Sequence, residues 1–131
     1  MRYLLMMHVP METGGYAHER WSPEDWKAHI AFLQQYNREL KEAGEWVDVM
    51  GLQPPGQAKL VRAGKRGAPP TDGPFPETKE FLAGFWIVDI ESPERAYELA
   101  AKASMAPGEG GEPLYMPIEV REVMGGPPKD A

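Results

Sequence analysis

The sequence predicts an α+β fold of the ferredoxin-like type, in which a βαβ unit occurs twice and builds one sheet with two helices on one face. Each half of the chain has a strand, a helix opened by Ser-Pro-Glu (at Ser22 and again at Ser92) and a further strand. Two interleaved units of this kind form such a sheet. The length of 131 residues, with 42% hydrophobic and 26% charged side chains, suits one folded domain. We expect that domain to span residues 1–124 and residues 125–131 to form a flexible tail.

The first half is predicted to consist of a central strand, a long helix and a second strand. Near-continuous apolarity over residues 3–9 indicates a strand covered on both faces. Ser22 is a suitable N-cap and Pro23 a suitable first residue for a helix that runs to about Ala43, with Gly44 as its stop signal. Alternation over residues 45–49 predicts the second strand. The helix is expected to bury an inward stripe made of Trp26, Ile30, Leu33, Asn37 and Leu40.

The second half repeats the pattern after a loop region. Residues 58–62 are compatible with a short strand, and residues 85–90 give the strongest strand signal in the chain. A second helix follows Ser92, residues 105–114 are expected to form a flexible crossing, and residues 117–124 close the sheet. The apolar face of the second helix comprises Ala96, Leu99, Ala100 and Ala103. Because helices cover only one sheet face, we expect a homodimer to bury the other.

Composition excludes several classes of function. A net charge of -6 without a basic stripe argues against partners that are nucleic acids or anionic membranes. The absence of cysteine excludes disulfides, thiolate catalysis and Cys-ligated metals. No run approaches the ~20 apolar residues of a membrane span, and the first apolar run is too short for a signal peptide, so a cytoplasmic location is expected. The three histidines lack metal-ligand spacing and the glycine clusters lack a phosphate-loop context, so we expect neither a metal nor a cofactor.

A longer motif connects the loop region to the strongest strand. Asp-Gly-Pro-Phe at residues 72–75, continued by Glu-Thr-Lys-Glu at 77–80 and Gly-Phe at 84–85, resembles the signature of the DGPF branch of the YCII-related family. The resemblance covers most of residues 1–123, with further matches at residues 1–3, 51–54 and 119–121. It implies a bacterial protein that forms a dimeric α+β barrel of ferredoxin-like subunits. Relatives in the wider superfamily include muconolactone isomerase-like and dehalogenase-like enzymes, and members of the DGPF branch are associated with extracytoplasmic-function sigma factors.

The resemblance also points to a site residue. In the broader YCII family a His on the first helix pairs with an Asp after the second helix, and His29 matches that His by position. Residues 101–106 contain no acid, so the Asp has no counterpart. On the apolar face of its helix, His29 is either a general base that works near neutral pH or a core-edge histidine bonded to a backbone carbonyl.

Five further residues are candidates, each with a structural alternative. Asp72 either caps its turn or also acts as an acid/base group that orients His29. Thr78 and Lys79 belong either to a solvated cluster or to the mouth of the barrel, where Lys79 would hold an anionic substrate group. Glu119 and Arg121 alternate with apolar residues in the last strand, so they form either an ion pair at the dimer interface or part of a ligand site.

Two functions from different classes are consistent with these residues. The first is a small enzyme that performs acid/base chemistry on a small organic molecule in a cavity near the dimer interface. The second is a non-catalytic module that senses a metabolite or docks a protein partner, with a regulatory link to a sigma factor. Fold alone does not separate them, because this architecture hosts unrelated functions.

Overall fold

The structure, a computed structural model, describes residues 1–10, 20–53, 55–64, 71–72 (backbone only) and 80–125. These described residues form two helices, six strands and short 3-10 turns that include Pro55–Gln57 and Glu109–Gly111. The helices and strands are β1 (Arg2–Pro10), α1 (Pro23–Glu42), β2 (Trp46–Gly51), β3 (Lys59–Leu60), β4 (Thr71–Asp72), β5 (Glu80–Asp89), α2 (Pro93–Ser104) and β6 (Ile118–Glu122).

The main sheet has the strand order β2-β5-β1-β6, and every neighbouring pair is antiparallel. The small strands β3 and β4 form a separate two-stranded sheet. This order, with one helix after β1 and one after β5, is the predicted ferredoxin-like α+β arrangement, which is therefore confirmed. Of the predicted tail, residues 126–131 lie outside the described part of the chain.

Helix α1 begins where its capping signals predict. The Ser22 hydroxyl accepts a hydrogen bond from the Asp25 amide (3.1 Å), and the Asp25 carboxylate accepts one from the Ser22 amide (3.0 Å). Pro23 occupies the first turn, where its missing N–H costs nothing. The helix ends at Glu42, and Gly44 follows with φ of 72°, a conformation that glycine adopts without strain.

The predicted inward stripe of α1 is partly wrong. Ile30 is 49% exposed and Trp26 is 39% exposed, whereas the helix buries His29, Tyr36 and Leu40. The face that meets the sheet is therefore rotated from the predicted stripe by about one residue. Tyr36 can be buried because its hydroxyl donates a 2.8 Å hydrogen bond to the Leu99 carbonyl of α2.

Strand β1 lies between β5 and β6, which confirms its central position. Its odd-numbered residues are buried against the helices, whereas Leu4, Met6 and His8 are half-buried. Coverage on both faces is therefore not achieved by the described residues of one chain. The sheet surface that carries Leu4, Met6 and His8 faces away from the helices, and we call it the open sheet face.

The segment between α2 and β6 is more ordered than the flexible crossing that we predicted. The Leu114 amide donates to the Ala106 carbonyl (2.9 Å), and the Gly108 amide donates to the Glu112 carbonyl (2.8 Å). These bonds close residues 105–117, the crossing loop, into a compact turn. The predicted face of α2 is confirmed, because all four of its predicted apolar residues are buried.

Candidate functional site

A cavity of about 610 Å³ lies between the first turns of α1 and the sheet. Its walls come from α1, the ends of β1 and β2, residues 81–86 of β5 and Met116 of the crossing loop. Such a volume lies within the usual range for small-molecule sites. We call it the α1 cavity, and it is formed by residues of a single chain.

His29 is the one titratable side chain among the described residues that line the α1 cavity. It is 9% exposed, and its Nδ1 lies 2.9 Å from the carbonyl oxygen of Pro107. A carbonyl oxygen only accepts hydrogen bonds, so Nδ1 carries the proton and donates it. In the neutral ring Nε2 then carries a lone pair, which is the form that a general base requires.

Burial lowers the pKa of His29 below its ordinary value of 6.5, and the hydrogen bond to Pro107 opposes that shift in part. Desolvation disfavours the charged imidazolium, whereas a carbonyl dipole at Nδ1 favours it. Because desolvation is the larger cause, the ring is neutral at pH 7. The hydrogen bond to a backbone carbonyl, which the sequence analysis expected of a core-edge histidine, is present. It uses Nδ1 and leaves Nε2 available for chemistry.

The orientation of the His29 ring is fixed by aromatic neighbours as well. Trp21 packs against it with ring centroids 5.1 Å apart at 64°, and Trp26 lies 6.1 Å away at 88°. The two tryptophans contact each other with centroids 4.6 Å apart. Edge-to-face contacts of this kind are favourable and restrict ring rotation.

The Pro107 carbonyl is held in place by contacts between the crossing loop and the start of α1. The Asp25 carboxylate, which also caps α1, accepts a 3.1 Å hydrogen bond from the Gly110 amide. Gly108 is buried beside Trp21 and Leu114, at a distance that leaves no room for a side chain. The capping residue of the helix therefore also anchors the loop that orients His29.

This loop occupies the part of the sequence where the family resemblance leads one to expect an aspartate. Residues 101–106 carry no acid, and the structure places the backbone carbonyl of Pro107 against Nδ1 instead. A neutral carbonyl fixes the same tautomer that a carboxylate would fix. It adds no negative charge, however, so it stabilises the imidazolium less.

The candidates from the loop region are placed only in part. The backbone of Asp72 pairs with Lys59 in the β3–β4 sheet, and its side chain is outside the described set. Thr78 and Lys79 both lie outside the described residues.

Glu119 and Arg121 lie on the open sheet face, so the structure does not bring them together with His29. Their neighbours Ile118 and Val120 pair with buried residues of β1 and pack against the core, which turns the two charged side chains the other way. Glu119 has one carboxylate oxygen 3.0 Å from His8 Nε2 and the other 3.8 Å from Arg121 Nε. Within the chain they therefore form an ion pair.

Sequence reasoning missed Trp21, Pro107 and most of the cavity wall. Trp21 precedes the helix cap, and a hydrophobic residue in that position commonly packs back on its helix, so this signal was available. The Pro107 contact involves a backbone atom 78 residues from His29, and no residue pattern reports it.

Neither a metal cluster nor a membrane-spanning helix is present in the part of the chain that the structure describes. There, no three His, Asp or Glu side chains are grouped so that they could hold a metal ion. Neither described helix combines the length and the apolar composition that crossing a bilayer requires.

Comparison with known proteins gives two findings. The family model of the YCII-related domain matches residues 1–112, which include both helices, β1 to β5 and most of the crossing loop up to Glu112. The chain is also similar to an uncharacterized protein of Rhizobium meliloti (strain 1021), with 35% identity over 86 residues, 66% of this chain and 69% of the relative.

Proposed function

The chain belongs to the YCII-related family, and we propose that it is a small cytoplasmic enzyme that uses His29 as a general base on a small organic molecule. The observation that carries this proposal is the fixed tautomer of His29 in the α1 cavity. Its Nδ1–H is committed to Pro107, and its Nε2 is left with a lone pair beside a cavity that suits a ligand. Within the family, residues 72–75 favour the DGPF branch.

The surroundings of His29 favour a reaction in which the proton is returned to the substrate. Nε2 takes a proton from an acidic C–H or O–H of the bound molecule, and the imidazolium is held by the Pro107 carbonyl alone. Because burial lowers the pKa of the ring, the imidazolium gives its proton back readily. Return to a second atom of the same molecule is an isomerisation, which needs no second acid and no co-reactant.

Hydrogen exchange tests this proposal without knowledge of the natural substrate. The protein is incubated in D₂O with a panel of enolisable lactones and aryl ketones, and deuterium uptake at the carbon next to the carbonyl is measured by mass spectrometry. We expect catalysed uptake with at least one compound. His29→Gln is expected to reduce it by roughly 10²- to 10⁴-fold, the usual contribution of a general base.

His8→Gln is the matched control, because His8 lies on the open sheet face and faces away from the α1 cavity. It should exchange the same compound at the wild-type rate. Equal rates in the wild type and His29→Gln would refute the proposed base.

A non-catalytic ligand-binding or regulatory module is the second candidate, and one observation favours it. The described lining of the α1 cavity offers a single titratable group, which is fewer than most acid/base enzymes use. In this alternative the cavity senses a metabolite, and the regulatory partner is a sigma factor of the extracytoplasmic-function class. Native mass spectrometry that finds a retained small molecule, together with no exchange for any compound of the panel, would support it over the enzyme.

In either case we propose a homodimer joined through the open sheet face. That face presents the half-buried apolar residues Leu4, Met6, Phe85 and Ile87, and Met50 is 50% exposed beside them. An apolar sheet face of this kind is usually covered by a partner. Sedimentation equilibrium should give twice the chain mass of 14.6 kDa, and Ile87→Lys should give the single mass.

A further inference from the structure

We infer that the α1 cavity selects neutral, largely apolar ligands with one hydrogen-bond donor, and that this donor binds Nε2 of His29. A substituted phenol is the simplest molecule of this class. The inference deepens the proposed function, because it names the kind of molecule that the same cavity takes.

The first step concerns charge. The described lining residues are aromatic, aliphatic, methionine or glycine, apart from His29, and none of them is charged. An ionised ligand would exchange its hydration for apolar walls without a counter-charge, which is strongly unfavourable. Arg121, which the sequence suggested as part of a ligand site, lies on the open sheet face. The described walls therefore favour a neutral molecule.

The second step concerns the direction of the hydrogen bond. The Nδ1–H of His29 already donates to Pro107, so the neutral ring offers the cavity an acceptor and no donor. The sulfur atoms of Met7 and Met116 are weak acceptors and cannot donate. A ligand that presents a hydroxyl is matched to Nε2, whereas the corresponding ether leaves Nε2 without a partner.

The third step concerns shape. Trp26 of α1 and Trp86 of β5 both line the cavity, and Phe81 adds a further ring. Aromatic walls bind flat rings through stacked or edge-on contacts. Methionine side chains adapt to substituents of different length. The class is therefore an aryl compound with a hydroxyl group and an apolar substituent.

Three matched probes test the inference: 4-propylphenol, 4-propylanisole and 4-propylbenzoate, titrated at pH 7.5 into the full-length protein by isothermal calorimetry. They share the ring and the propyl group and differ in carrying a donor, an ether or a negative charge. We expect the phenol to bind roughly 3- to 10-fold tighter than the anisole, which is the effect of one hydrogen bond. The benzoate should bind more weakly than both.

Two measurements assign the preference to His29. His29→Phe keeps an aromatic ring and removes Nε2, so the phenol and the anisole should bind it equally. Circular dichroism first shows whether this variant folds. Independently, nitrogen-15 NMR of the wild type should show the Nε2 resonance of His29 shifting with the phenol and staying in place with the anisole, which needs no variant.

Binding of the benzoate as tight as that of the phenol would overturn the inference, and so would equal binding of phenol and anisole to the wild type. Binding of none of the three probes would overturn it as well. These outcomes are separate from those of the proposed enzyme. Donor-dependent binding without any hydrogen exchange refutes only the catalysis, and exchange without a donor preference refutes only the ligand class.

Discussion

Replacing Gly108 by alanine should displace the crossing loop and release His29 from Pro107. A Cβ on Gly108 would lie 2.4 Å from Leu114 Cδ2, 2.9 Å from Leu114 Cγ and 3.0 Å from Trp21 Cζ2. Carbon atoms normally approach to about 3.5–4.0 Å, so the closest contact is short by about 1 Å. Leu114 is only half-buried, so a change of its rotamer could relieve its two contacts, but Trp21 is 8% exposed and holds the third contact in place.

The loop therefore has to move, and Pro107 is the adjoining residue. A shift of about 1 Å away from α1 would take the Pro107 carbonyl out of hydrogen-bonding distance of Nδ1, which is now 2.9 Å. Overpacking costs about 1–3 kcal/mol, and leaving a buried N–H and carbonyl unpaired costs a similar amount. Moving the loop breaks the hydrogen bond but reduces the overpacking, so the two costs do not add in full. We expect a total loss of roughly 2–4 kcal/mol in the free energy of unfolding.

Two assays measure the effect. Urea unfolding gives the stability, and nitrogen-15 NMR gives the tautomer of His29, which should lose its preference for the proton on Nδ1. Gly56→Ala is the control, since a Cβ there meets nothing within 4 Å and its stability should change by less than about 0.5 kcal/mol. If Gly108→Ala keeps both the stability and the tautomer of the wild type, the packing argument for the loop is refuted.

Three further predictions concern stability. Because the pKa of His29 is lowered in the folded protein, the unfolded chain binds the proton more readily, so the free energy of unfolding should fall as the pH drops below 6.5. His29→Gln should make urea midpoints between pH 5.5 and 7.5 less pH-dependent, and an unchanged slope would contradict the shift. Arg95→Met removes two 2.8 Å hydrogen bonds to Glu45, which is 13% exposed, and should cost about 1–3 kcal/mol; Glu45→Gln in the same background should recover part of that loss, and no recovery would mean that the pair is not the cause. Tyr36→Phe leaves the Leu99 carbonyl without its 2.8 Å donor and should cost about 1 kcal/mol by urea unfolding, whereas a stability equal to the wild type would show that the bond contributes nothing net.

Local signals allowed most of the fold to be predicted. Ser22 and Ser92 both accept the hydrogen bonds that define an N-cap, and both helices begin at the proline that follows. These signals act over three or four residues, so the sequence alone contains them. The predicted strand, residues 85–90, begins five residues after the observed one. The charged Glu80 at the observed start does not fit the apolar pattern from which the strand was predicted. In the structure Glu80 pairs with Pro10 at the far end of β1, beyond a register shift between Met7 and His8.

Of the candidate site, the sequence allowed us to predict the residue His29 but not its surroundings. The position of His29 on α1 and the family resemblance both pointed to it, and the structure places it in the α1 cavity. Its charge state, its tautomer and its neighbours were not predictable, because they depend on burial and on a carbonyl that another part of the chain supplies. Glu119 and Arg121, the candidates from the last strand, lie on the open sheet face, across the sheet from His29.

The sequence by itself therefore determined the order of the elements, the helix boundaries and the identity of the candidate base. Periodicity and capping depend on neighbours along the chain, and those neighbours are the same in the folded and unfolded states. His29 was predicted on the inward face of α1, as it is, but only the tertiary structure decided that α1 leaves Ile30 outward and that Pro107 holds Nδ1. Both depend on how α1 and the crossing loop pack against the sheet, and packing is a property of residues that are distant in sequence and become adjacent only on folding.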